Sequence, residues 1–170
     1  MDRKMAVKQG VDLNIGLLEE QRRGVCQLLN ELLADEFVLY TKTRNYHWNV
    51  RGPRFHDLHK FFESQYNELN DIVDEVAERI RQLGDMPWAT LAEFTQHGRL
   101  KEQPGDYPEA EEMIGNLLAD HEAVIQQLRN DADTIAEKHR DMGTNDFALD
   151  LLKQHEKMAW MLRACLEPGR

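Results

Sequence analysis

Residues 54–84 read RFHDLHKFFESQYNELNDIVDEVAERIRQLG, and two patterns run through them together. The first is apolar. Leu58, Phe62, Leu69, Val73, Val76 and Ile80 recur at three-, four- and seven-residue steps, the period of an α-helix with one buried stripe. Gly84 supplies the stop signal. The second pattern is polar. His59 and Glu63 are four residues apart, and so are Asp74 and Glu78. At about 100° per residue, all four fall within an arc of roughly 100°, well over 100° away from the apolar stripe. The helix therefore buries one side in its own fold and presents the imidazole and the three carboxylates elsewhere.

Working outward, three more long helical patterns appear. One precedes, from about 14 to 47, with a seam of Leu18, Val25, Leu29, Leu32, Phe37 and Tyr40. Arg51-Gly52-Pro53 separates it from the quoted stretch, which reads as a helix from about 54 to 83. Beyond Gly84 and Pro87 comes a short helical candidate, Thr90 to His97, then a polar linker with Gly98, Pro104 and Gly105. Asp106 and Glu109 fit a capping box for the third long helix, whose seam is Ile114, Leu117, His121, Ile125, Leu128 and Ile135. Gly143 fits its C-terminal cap. Thr144 fits the cap of the last helix, with its seam of Phe147, Leu151, His155, Met158, Leu162 and Cys165. Pro168 and Gly169 close the chain. The expected fold is all-α: a ferritin-like four-helix bundle over residues 13–170, with a short extra helix in the crossover between the second and third long helices. Residues 1–12 read as a flexible N-terminal arm.

Composition narrows the function. The chain has 170 residues, 41% of them hydrophobic, which fits one domain with a real core. Its net charge is −10, from 21 basic against 31 acidic residues, a surface that repels nucleic acid and anionic membranes and suits cations. No apolar run approaches the roughly 20 residues of a membrane span, and the first residues lack the apolar core of a signal peptide. Cys26 and Cys165 form no CxxC pair, so a cytoplasmic location with packed thiols is expected.

Imidazole and carboxylate donors together suit iron, zinc or manganese. One subunit cannot assemble these four. His59 and Asp74 are 15 residues apart, roughly 22 Å along a helix axis. An antiparallel copy of the same helix, crossing near Glu68 and Leu69, would bring residues 59 and 63 of one chain to residues 74 and 78 of another, giving two identical sites per pair. Asp74 and Glu78 alone also read as solvated helix charges near Arg79 and Arg81. Ferritin-type sites inside a bundle use Glu-x-x-His, and no His here has a Glu three residues before it.

Asn45-Tyr46-His47-Trp48-Asn49-Val50-Arg51-Gly52-Pro53 resembles a signature of the Dps family, DNA-binding proteins from starved cells. So do Phe55-His56-Asp57-Leu58-His59-Lys60-Phe61-Phe62-Glu63, the run Asp74 to Ile80, and His155 to Arg163. The resemblance implies a hollow dodecamer with ferroxidase centres at two-fold interfaces. It implies His47, His59 and Glu63 as ligands from one subunit, Asp74 and Glu78 from its mate, and Trp48 beside the centre or simply packed. The family often has Asp at position 63, so the longer Glu63 departs from the pattern. The implied activity is oxidation of Fe²⁺, typically by hydrogen peroxide and otherwise by O₂, followed by ferric storage in the cavity and protection against oxidative stress. Zinc is an alternative occupant of the same ligands. The resemblance also implies an iron-entry pore lined by acids around the start of the last helix, where Asp141 and Asp146 lie; Asp146 matches best, and its other reading is a helix-dipole carboxylate.

His121 and His155 lie on apolar seams. Counted from a turn at Gly143 they stand at different heights, which predicts satisfied core histidines rather than a shared ion. The alternative function, DNA compaction, needs basic tails. The first twelve residues carry Arg3, Lys4 and Lys8 against Asp2 and Asp12, and little follows the last helix, so weak or absent DNA binding is expected.

Overall fold

The computed structural model describes residues 13–168, so the expected N-terminal arm and the final glycine lie outside the described residues. The described chain is helical: α1 (Glu19–Asn49), α2 (Phe55–Gln82), α3 (Leu91–His97), α4 (Ala110–Glu137) and α5 (Met142–Leu166). Helix α1 packs along α2, and α4 along α5; α1 also meets α3 and α4, and α2 touches α5. This is the expected bundle, with α3 sitting in the long crossover. No described helix is long and apolar enough to cross a membrane.

The seams explain the packing. Leu58, Phe62, Leu69, Ile72, Val76 and Ile80 of α2 are buried against Leu29, Leu32, Leu33 and Leu39 of α1 and the matching stripes of α4 and α5. The α2 stop is a Schellman motif. Gly84, at φ 89, donates to the Arg81 carbonyl, and Asp85 donates to that of Ile80. Arg51-Gly52-Pro53 turns the chain between α1 and α2, Gly52 taking φ 100. That short turn places the end of α1 beside the start of α2.

Several expectations shift. Helix α1 starts at Glu19 rather than about 14, and Leu18 is 64% exposed, because it stands at the N-cap rather than on the seam. Helix α4 starts at Ala110, with Glu109 at the N-cap and no side-chain cap bond. Pro108 keeps the residue before it out of the helical region, which defeats a capping box begun at Asp106. The α4–α5 turn falls at 138–141, not at Gly143. Arg140 takes the left-handed conformation at φ 55, and Asp141 caps α5 by accepting from the Thr144 N–H at 3.0 Å. Gly143 lies inside α5, and Thr144 receives the cap instead of supplying it.

Candidate metal centre

His47 stands in the last turn of α1 and His59 in the second turn of α2, so the Arg51–Pro53 turn brings them together. Their rings stack with centroids 3.8 Å apart and planes inclined by 21°. Each ring donates from Nδ1 to the backbone carbonyl of the other residue, both at 2.8 Å. A carbonyl oxygen only accepts, so both Nδ1 atoms carry hydrogens. In the neutral rings both Nε2 atoms then keep their lone pairs. This is the arrangement that orients a metal-binding imidazole: one nitrogen tied to an acceptor, the other presented. His47 is 7% exposed and His59 half-buried, so the pair sits just beneath the surface.

Glu63 lies one turn beyond His59 and is half-buried. Its carboxylate accepts from Lys60 Nζ at 2.8 Å. That bond and the Lys60 charge, helped by His47 and His59, hold its pKa below the usual carboxylate value. It is therefore ionised at neutral pH. Asp74 and Glu78 are exposed on the same helix. The arginines that offered them a bland role are engaged elsewhere. Arg79 donates to Thr144 and Gln82 and pairs with Asp141, while Arg81 donates to the Asp85 carbonyl and to Met86. Among the described residues neither Asp74 nor Glu78 forms an ion pair. Within one subunit, no three His, Cys, Asp or Glu side chains among the described residues gather closely enough to hold an ion.

Around the histidines the structure adds residues that sequence reasoning missed. Tyr66 meets the His47 ring edge-on at 5.2 Å, and Phe55 lies 5.1 Å from His59. The Arg44 guanidinium covers the rings of Tyr66, Trp48 and Tyr40 at 4.9, 5.1 and 5.6 Å, and donates to the Tyr40 hydroxyl. Trp48 itself is 63% exposed. The signal for Tyr66 was available: it sits seven residues after His59 and three after Glu63, on the same face. Arg44 carried none, because its partners come from two helices.

The two candidate pore acids differ. Asp141 is buried, and its carboxylate is taken up by the Thr144 N–H and hydroxyl and by Arg79 at 3.6 Å. Asp146 is exposed. The expectation for His121 and His155 is corrected. They are fully buried, but at one height, with Nδ1 to Nδ1 at 2.9 Å. Moving the α4–α5 turn back to 138–141 re-registers the two helices and closes the gap. Nor are they satisfied: among the described residues, Nε2 of each ring lacks a hydrogen bond. Of the thiols, Cys26 is buried and pushed up to about 11, chiefly by burial, and Cys165 is half-buried; both are free.

A family model described as a ferritin-like domain matches residues 26–170. A low temperature-induced protein of Nostoc sp. is 46% identical over 91% of this chain and 87% of its own length. A "DNA protection during starvation protein 2" of Bacillus anthracis is 40% identical over 84% of this chain and 96% of its own. A Dps protein of Vibrio cholerae O1, described as a member of a broad superfamily of ferritin-like diiron-carboxylate proteins, superposes with a TM-score of 0.86. It is 32% identical, over 94% of this chain and 99% of that one.

Proposed function

Since this chain belongs to the Dps family of ferritin-like proteins, we propose that it oxidises Fe²⁺ at sites shared between subunits and stores the ferric product inside a hollow shell. The observation that carries the reading is the reciprocal tie between His47 and His59. Two imidazoles are fixed in one tautomer, with both free nitrogens left for an incoming cation.

The carboxylates complete the site across a two-fold axis. The sums 59 + 78 and 63 + 74 are equal, so one crossing point between Glu68 and Leu69 serves both contacts at once. His47, His59 and Glu63 of one subunit then face Asp74 and Glu78 of the other. Three carboxylates supply the negative charge that draws Fe²⁺ in and tolerates Fe³⁺, and two neutral imidazoles keep the site from becoming too anionic to release product. Glu63 must leave Lys60 to bind, and this exchange makes Lys60 a counter-ion that holds the carboxylate ionised until the substrate arrives. Two Fe²⁺ oxidised together give two electrons to one hydrogen peroxide, which yields water rather than a hydroxyl radical. O₂ is the slower oxidant in this scheme. Closure into twelve subunits follows the family, and the soluble, acidic shell operates in the cytoplasm. Asp146, exposed at the start of α5, is the remaining acid for an iron-uptake pore.

The test is anaerobic loading with Fe²⁺ followed by one addition of peroxide. Ferric absorbance should rise with two irons oxidised per peroxide. A shell that stays colourless, or that oxidises iron no faster than buffer, would overturn the assignment.

A further inference from the structure

Deep in the bundle, away from the surface histidines, lies a second polar cluster that the oxidation site does not use. Glu36 comes from α1, His121 from α4 and His155 from α5, and each is 0% exposed. His155 Nε2 stands 2.8 Å from Glu36 Oε1. Yet among the described residues neither atom makes a hydrogen bond of acceptable angle, and Glu36 Oε2 has no partner either. A buried carboxylate without partners is costly, and such groups in native proteins point to a missing water or ion. From α2, Gln65 adds another buried, unpartnered oxygen. Its Nε2 donates to the carbonyl of Met158, one turn beyond His155.

The geometry is that of two donors beside each other rather than facing each other. Two ligand atoms each about 2.1 Å from one ion lie about 2.8–3.4 Å from each other, from a right-angle to a tetrahedral arrangement. Their lone pairs then converge on the ion, not along the line joining them. The 2.8 Å contact, which does not qualify as a hydrogen bond, falls at the short end of that range. Behind His155, its Nδ1 meets His121 Nδ1 at 2.9 Å. If His155 Nε2 is a ligand, its hydrogen sits on Nδ1 and is donated to His121, which carries its own on Nε2. One hydrogen per ring accounts for every contact.

We propose that Glu36 and His155 are the ligands of an interior site for a borderline divalent ion such as zinc, with His121 as the positioning residue that orients His155. The carboxylate and imidazole match that class of ion, and the Glu36 carboxylate can give two oxygens. The site is distinct from the intersubunit one in residues, depth and subunit count. Full burial means that the ion enters as the bundle folds and leaves slowly, so it should resist chelators that empty a surface site.

The test uses full-length shells in which His47, His59, Asp74 and Glu78 are all replaced by Ala, so that failure of the intersubunit assignment cannot be mistaken for failure here. They are produced in zinc-supplemented medium and dialysed against EDTA. About one zinc per chain should remain. Adding Glu36→Gln or His155→Gln should remove it, and His121→Gln should weaken retention by about 10–100-fold. Cobalt substitution gives a second reading. The visible d–d bands of Co²⁺ should vanish in the first two variants and shift in the third, a spectral change that a merely structural role would not cause. Zinc below a tenth of an equivalent, or retention indifferent to Glu36 and His155, overturns the proposal. Should the core variants not fold, a zinc-edge anomalous map of the unsubstituted, EDTA-washed shell decides. A peak between Glu36 and His155 is expected, and its absence, leaving a bare Glu36–His155 ion pair, refutes the site.

Discussion

Two pairs of histidines in this molecule solve the same problem in opposite ways. At the surface end, His47 and His59 each give Nδ1 to the other's backbone carbonyl, and both Nε2 atoms are left free. In the core, His121 and His155 use their Nδ1 atoms on each other, and Glu36 stands at the far nitrogen of one ring. The surface pair is held by main chain, so its rings keep their aim whatever the protonation or occupancy of the site. The core pair is held only by side chains, so its tautomers are free to follow what binds Glu36. Backbone anchoring suits turnover, and a side-chain relay suits retention.

The largest effect that would break this comparison is at the surface. His47→Ala or His59→Ala should slow ferrous oxidation by on the order of 100-fold or more, read by stopped-flow ferric absorbance, with the shell intact by light scattering. Because each ring is tied to the other residue's main-chain carbonyl, which Ala keeps, either single variant should hold the remaining imidazole in place, and the double variant should be clearly slower than either. A double variant no slower than the singles would mean that the rings hold each other and the main-chain ties do not. By contrast, Glu36→Gln should leave the initial oxidation rate within about twofold, since Glu36 and His47 are eleven residues, about 16 Å, apart along α1. A collapse of the rate would join the two regions into one mechanism.

The two acids near the last turn should separate in the same manner. Asp141→Ala should destabilise the fold by about 1–2 kcal/mol in chemical denaturation, because it removes the α5 cap and the carboxylate paired with Arg79. Asp146→Asn should leave the denaturation midpoint unchanged and slow iron uptake by about two- to fivefold. The smallest effect concerns DNA. With a net charge of −10 per chain, duplex DNA in a gel-shift at neutral pH and moderate salt should show no retardation. Tight, steeply salt-dependent binding would move the function toward DNA compaction.

How much of this was legible in the sequence depends on whether a feature is local. The α2 stripe and the polar face that carries His59, Glu63, Asp74 and Glu78 were readable because both follow from one helical period. The Gly84 stop was readable because a left-handed C′ position favours glycine. The α4–α5 turn was not, because Arg140 adopts the left-handed conformation while Gly143 is spent inside α5. That one misplaced turn hid the core cluster, since the height of His155 against His121 is counted from it. The His47–His59 tie was also out of reach. Spacing gives the face of a residue but not which carbonyl its ring will meet across a turn.

The central claim, that each oxidation centre draws ligands from two subunits, is met most directly by mixed shells. One variant lacks His47 and His59, and the other lacks Asp74 and Glu78. Each alone has every centre damaged. In a co-expressed shell, a mixed two-fold pair holds one centre with all five ligands and one with none. Ferrous oxidation should therefore return in part, in proportion to the mixed pairs counted by native mass spectrometry. If mixed shells form and no activity returns, the ligands do not meet across the interface, because a centre within one subunit could not be rescued by its neighbour.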